Sequence, residues 1–270
     1  MQNSASVKLV ARRAGLQLAI LRAFGRIMKF VFEELDSQTT PLGEISLRRR
    51  SEPRLNGLVL YEVKLGDEFL MSSLFTEAEI QLAKMGIAAL ERNGHKQDLD
   101  IVVGGLGLGY TALAALDHPS VKSLKVVEVM EAVIDWHRRG LVPLGESLSN
   151  DTRCDFIHAD FFALAAANTG GFNPSDPERR AHAVLLDIDH SPSHWLNSGN
   201  STFYTIEGLQ NVANKIHPGG VFGLWSNDPP DHEFSRLLDT VFQSYESHVV
   251  TFPNPYTGGE STNSVYLAFK

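Results

Sequence analysis

The sequence predicts an α/β protein: a mostly parallel sheet with a C-terminal antiparallel hairpin, preceded by a small N-terminal antiparallel β-domain. Three observations carry this expectation. From Asp98 onward short apolar runs alternate with helical patterns. Residues 42–73 alternate apolar and polar side chains between turn signals. The C-terminal end holds two strand-like stretches joined by a glycine-rich connection. With 270 residues, 43% apolar and 21% charged, the chain can bury a large core as one α/β domain, or as one with a small appendage.

The elements follow in chain order. "SVKLVARRAGLQLAILRAFGRIMKFVF" sets basic residues between apolar ones at helical spacing, and predicts a basic helical extension over residues 1–32. A membrane-surface helix, a targeting segment, an oligomer arm, a helix packed on its own body and a poorly ordered extension all fit it. No small-residue cleavage site follows a long apolar core, so a secretory signal is not expected. Met28 opens a stretch that reads as a natural domain start, so the first 27 residues are expected to be dispensable. The β-domain is placed over 33–75, with three or four strands over about 42–73 in "LGEISLRRR" and "GLVLYEVKLGDEFLMSS". The larger α/β domain is placed over 76–270. It opens with a helix, "TEAEIQLAKMGIAALERNG", with Thr76 as N-cap, Glu79 as its capping-box partner and Gly94 as stop.

"LDIVVGG", "SLKVVEVM", "CDFIHAD", "AHAVLLDID" and "GGVFGLWS" are short, apolar and rich in β-branched residues. They are too apolar to face water on either side, as strands of a parallel sheet are. "YTALAALDH", "EAVIDWHRRGLV" and "STFYTIEGLQNVANKIH" read as the helices between them, and "NTGGFNPSDPERR" as a surface loop. "ESHVVTFPNP" and "STNSVYLAFK" read as the closing hairpin.

The chemistry gathers where these strands end. "GGLGLGY" puts Gly105, Gly107 and Gly109 directly after the first parallel strand, where open α/β sheets bind ligands. Without β-carbons there a ligand can lie against the turn and meet backbone N–H groups. Glu128 ends the next strand, 19 positions after Gly109, where an acid accepts both ribose hydroxyls of a nucleoside. Asp160 ends the third strand ahead of Phe161 and Phe162, an acid for an adenine amino group with an aromatic beside the ring. Asp187 ends the fourth. A donor site is therefore expected over Gly105, Leu106, Gly107 and Gly109, with Glu128, Val129, Asp160 and Phe161. The G-x-G-x-G spacing and the terminal hairpin favour S-adenosylmethionine or a relative over a dinucleotide, and no Walker-type lysine follows the glycines.

From about residue 42 onward the chain resembles the spermidine synthase (polyamine aminopropyltransferase) family on the class I S-adenosylmethionine-dependent methyltransferase-type Rossmann fold. The resemblance lies in "LLDIDHSP", similar to the family's D-S-S-D-P-like loop, in "FYTIEGLQNVANKIHPGGVFGLWS" and in "FPNPYTGG". It implies transfer of an aminopropyl group from decarboxylated S-adenosylmethionine to an amine, with Asp187 as the base that deprotonates the amine. It implies substrate contacts from Asp189, His190, Tyr256 and Glu77, and a homodimer or tetramer. The glycine turn carries no acid where the family has one to bind the donor amine; Leu106 and Leu108 stand there, and His190 stands at the second loop acid. A methyltransferase using S-adenosylmethionine itself on a small molecule, or a nucleoside-binding protein without catalysis, therefore remains open.

Charge and cysteine content set the outer limits. The net charge is −8; residues 1–32 hold six bases and no acid, so the rest carries 18 bases against 32 acids. That acidity serves solubility, suits a cationic amine acceptor and argues against nucleic acid as the main partner. No run of 18 apolar residues occurs, so no integral membrane association is expected. The single Cys154 fits a reducing cytoplasm and leaves no cysteine metal cluster. His182, His190 and His194 lack ligand spacing, and no metal is expected.

Overall fold

A computed structural model describes residues 30–270. The basic segment read as a helical extension lies outside the described residues, except for its last few positions. Two sheets form. The first is antiparallel, in the order β1 (Phe32–Thr40), β2 (Gly43–Glu52), β3 (Leu58–Leu65), β4 (Glu68–Ser72). The second has seven strands in the order β10-β11-β9-β8-β5-β6-β7. Its parallel part is β5 (Leu99–Gly104), β6 (Val121–Glu128), β7 (Cys154–His158), β8 (Ala181–Leu186) and β9 (Ile216–Ser226). The hairpin β10 (Ser244–Asn254) and β11 (Gly259–Phe269) joins β9 antiparallel. The fold class read from the sequence is the one observed.

The first sheet starts ten residues earlier than its alternating pattern suggests. "FEELDSQTT" is half exposed and polar, so it has no apolar alternation to betray a strand; its pairing with β2 makes it one. Within this sheet the carboxylate of Glu62, only 2% exposed, is flanked by Arg48 at 2.7 Å and Arg50 at 2.8 Å. A buried charge needs such partners. Apolar and polar contacts bind this sheet to the larger unit. Ile45, Leu47 and Val63 join the apolar cluster of the large sheet. The Trp136 indole N–H donates to Asp36 at 2.7 Å. The Tyr256 hydroxyl donates to Glu52 at 3.1 Å and accepts from Arg50 at 3.3 Å.

Helices cover both faces of the large sheet. The first, α1 (Glu77–Arg92), buries the stripe Glu79, Leu82, Ala83, Gly86, Ile87 and Leu90. With α2 (Tyr110–Leu116) and α3 (Glu131–Arg138) it packs one face. The other face carries α5 (Phe161–Ala166), α6 (Ile206–Asn214) and α7 (His232–Val241); α4 (Gly145–Asn150) packs against α3. The expected capping box fails. Thr76 precedes α1 but makes no side-chain cap, and the Glu79 side chain is drawn into the interior with the apolar stripe instead of reaching back to Thr76. Gly94 at φ +93° ends the helix as expected. The single helix expected over 201–217 is shorter: a 3₁₀ turn, Ser198–Phe203, precedes α6, and Ile216 already belongs to β9. Among the described residues no helix is long and apolar enough to cross a membrane.

Strand order reverses at β5: the chain runs out through β6 and β7, then returns to β8 on the other side. Such a switch point opens a crevice at the carboxyl ends of the strands. The parallel pairing of β5 with β8 continues one step past the end of β8, with the Asp187 N–H donating to the Gly104 carbonyl at 2.8 Å. Gly105, at φ +93°, follows so closely that a β-carbon would lie 2.1 Å from the Asp187 carbonyl oxygen. Gly94 has the same φ, but a β-carbon there meets nothing within 4 Å. Gly94→Ala is thus expected to cost only the left-handed conformation, about 1–2 kcal/mol. Gly105→Ala adds a clash with backbone and is expected to cost more than about 2 kcal/mol beyond that. Urea unfolding of the two variants tests this; equal losses would contradict it.

Candidate active site

One cavity of about 930 Å³ opens at the switch point, between the first sheet and the strand ends of the second. Gly105 and Gly107 floor it. Glu128, Val129, Asp160 and Phe161 form one side, and Asp187 with His190 the opposite lip. The first sheet roofs it with Leu42, Phe69, Leu70 and Met71.

Glu128 closes β6 with a buried carboxylate. Its Oε2 accepts the Leu106 N–H at 2.9 Å and its Oε1 the Met130 N–H at 2.8 Å. Burial raises its pKa despite these bonds. The acid thus holds the glycine turn in shape while bordering the cavity. Leu106 itself turns its side chain into the core, 4% exposed.

Asp187 follows β8 and accepts the Thr111 hydroxyl at 2.8 Å on Oδ2. Glu79, from the buried stripe of α1, borders the same cavity. Both carboxyls have raised pKa values. Burial is the main cause for each, and for Glu79 the nearby Asp187 charge adds to it. Two buried acids facing one space make a site for a cation, or for a proton taken from one.

Several residues assigned from the sequence stand elsewhere. Gly109 does not border the cavity; its missing β-carbon makes room for Leu148 and His137. Asp160 borders it, but its Oδ1 caps α5 through the Phe162 and Ala163 N–H groups. Phe161 reaches the cavity wall from within the core, 2% exposed and stacked on Phe172. Glu77 is exposed and bonded to Gln81; the acid that enters the cavity is Glu79, two residues on. Helical periodicity carried that signal, because Glu79 lies in register with Leu82, Ala83 and Leu90 on the apolar face. Asp189 is turned away from the cavity: 3% exposed, it accepts from the Leu196 N–H, Asn200 and the Tyr204 hydroxyl. It braces the loop instead. Tyr256 is not at the cavity, because Glu52 and Arg50 hold its hydroxyl. His190 borders the cavity and pairs with Glu68 of β4 at 2.8 Å, joining loop to roof. Thr111 and Met71 escaped the sequence reading; neither residue type marks such a role, and a β-carbon on Gly107 would meet the Met71 methyl at 2.4 Å. Among the described residues no cluster of three metal-ligating side chains occurs.

His137 supports the glycine turn from behind. It is fully buried, and its Nε2 lies 2.9 Å from the Gly107 carbonyl, so the ring carries its proton on Nε2 and donates it. Nδ1 is buried without a partner among the described residues. Burial pushes the pKa down to about 4. The unfolded ring titrates near 6.5, so below that pH the unfolded chain binds the extra proton and folding loses stability as pH falls toward about 4. The loss from this group should reach about 3 kcal/mol. Glu128, with its raised pKa, acts in the opposite direction, so the test compares proteins. The difference in urea stability between the parent and His137→Gln should shrink as pH is lowered from 7.5 to 4.5. A constant difference would remove the neutral imidazole from this role.

A scan against protein-family models finds no match. The chain is 23% identical over 192 residues to polyamine aminopropyltransferase 2 of Pseudomonas aeruginosa, covering 67% of this chain and 48% of that one. It thus spans about half the length of that curated relative. A crystal structure of spermidine synthase with the transition-state analogue AdoDATO superposes with a TM-score of 0.66 at 18% identity, over 88% of this chain and 73% of that one. Human methyltransferase-like protein 13 in complex with SAH gives 0.53 at 18% identity, over 73% and 83%. The resemblance read from the motifs thus recurs in sequence and in fold: the chain is similar to a polyamine aminopropyltransferase and carries the fold of spermidine synthase.

Proposed function

We propose that the chain is a transferase that binds S-adenosylmethionine or its decarboxylated form and moves an aminopropyl group to an amine. The observation that carries this is the meeting of Asp187 and Glu79 with Glu128 and the glycine turn around one cavity. The nucleoside lies over Gly105 and Gly107 with its ribose on Glu128. The acceptor amine lies between Asp187 and Glu79. An ammonium has no lone pair, so a base must take its proton first. Asp187, oriented by Thr111, takes it. The amine lone pair then forms the C–N bond to the carbon beside the sulfonium. The C–S bond breaks, its electron pair stays on sulfur, and a neutral thioether leaves. Similarity to polyamine aminopropyltransferase 2 supports aminopropyl as the group moved.

Methyl transfer from S-adenosylmethionine is the second reading. It is favoured by the glycine turn, where buried Leu106 and Leu108 leave no carboxylate for a donor's terminal amine. Single-turnover reactions with each donor and a mixture of amines, read by mass spectrometry, separate the two. Methylated products would replace the first reading with the second.

Asp187→Asn keeps the Thr111 bond but cannot accept a proton. Turnover should fall by about two to four orders of magnitude with donor binding little changed. In the parent the rate should rise with pH, because the base works only when ionised and burial holds its pKa above the usual carboxylate range. Undiminished turnover in Asp187→Asn removes this base from the mechanism.

The acid pair makes a second prediction. An ammonium beside Glu79 and Asp187 favours their ionised forms, so an amine arriving as a cation should release protons near neutral pH. Calorimetry in buffers of different ionisation enthalpy measures this; a Glu79→Gln variant should release fewer. Proton uptake on binding would contradict the pairing.

A further inference from the structure

We infer that the acceptor is a monoamine with an apolar or aromatic tail rather than a linear diamine or polyamine, an inference that rests on the transferase reading above. A second ammonium needs a second counter-charge, because an unpaired buried cation is costly. The acids bordering the cavity are Glu79, Glu128, Asp160 and Asp187. On that reading Glu128 and Asp160 serve the nucleoside, which leaves Glu79 and Asp187, bordering one cavity, for a cationic head. The other acids near the site are engaged elsewhere. Glu68 is paired with His190, Asp189 is taken up by its three donors, and Glu77 faces solvent.

Thr40, Asn200, Ser261, Thr262 and Asn263 also border the cavity, but none of them carries a charge to offset a second ammonium. The side-chain carbonyls of Asn197, Asn227 and Asn254 accept from Gly199, Asn263 and Tyr256 of the chain itself. The first sheet brings hydrocarbon to the same cavity. Ile45, Val63, Phe69, Leu70 and Met71 of the first sheet, with Phe75 beyond them, border the cavity. Leu42 and Phe69 stay exposed, 39% and 45%, as an apolar rim. Such a wall strengthens binding roughly fourfold for each methylene that it buries. It gives nothing to a second ammonium.

The test uses calorimetry on the whole chain with methylthioadenosine present, so that it needs no turnover. Hexylamine and 2-phenylethylamine should bind at least tenfold more tightly than putrescine or spermidine. Phe69→Ser, at the rim, should weaken the apolar amines several-fold and leave methylthioadenosine unchanged. Leu42→Asp should narrow the gap by supplying a distal charge, with the melting temperature checking that both variants fold. Putrescine binding as tightly as the apolar amines, or no amine binding at all, overturns the inference. Failure of the transferase reading looks different: the preference for apolar amines persists while neither donor yields a product.

Discussion

The parallel pairing of β5 with β8, carried one residue past the end of β8, is the constraint on which the site depends. The bond from the Asp187 N–H to the Gly104 carbonyl sets the acid beside the glycine turn. Gly105 then passes within a β-carbon's reach of the Asp187 carbonyl. The helix that starts at Tyr110 consequently brings Thr111 to the Asp187 carboxylate. On the other flank the Gly105 N–H donates to the Val127 carbonyl at 2.9 Å, and Glu128 takes up the next N–H of the turn. Three strand ends are thus locked to one another by backbone bonds before any ligand is considered.

The electrostatics follow from that closeness. Glu79, Glu128 and Asp187 all stand in surroundings that disfavour their charged forms. They differ in what compensates. Glu128 has two backbone donors and serves the turn as well as the cavity. Asp187 has one hydroxyl, and among the described residues no other side chain donates to Glu79, so these two have the most to gain from a cation. Behind the turn, the His137 pKa is lowered for the same reason that those of the acids are raised: the interior penalises charge of either sign.

The small sheet has two duties. Its ion-paired strands, with Glu62 between Arg48 and Arg50, give it a rigid frame of its own. Its apolar side supplies the roof of the cavity, and Met71 reaches down to the glycine turn. Tyr256, tied to Glu52 and Arg50, fastens the terminal hairpin to that frame rather than lining a substrate channel. A residue type that suits an amine channel is here part of the joint between two sheets.

Much of this was legible in the order of residues. Period-two alternation, buried β-branched runs and glycines after a strand are local properties, and they determined the α/β class, the parallel core and the closing hairpin. They also placed Glu128, Asp160 and Asp187 at strand ends, because a side chain's position along a strand follows from its place in the run. Polar β1 was not legible, since its strand character comes from pairing with β2. Direction was not legible either. Whether Glu77 or Glu79 enters the cavity depends on which face of α1 meets the sheet, and the apolar stripe decides for Glu79. Asp189 and Tyr256 suited a cation by residue type, yet donors distant in sequence claimed them first: Asn200 and Tyr204 for the one, Arg50 for the other. The sequence alone determined which chemical groups stand near the strand ends. Only the tertiary structure decided which of them keep free lone pairs toward the cavity, because buried polar atoms bond to whichever partners packing brings within reach.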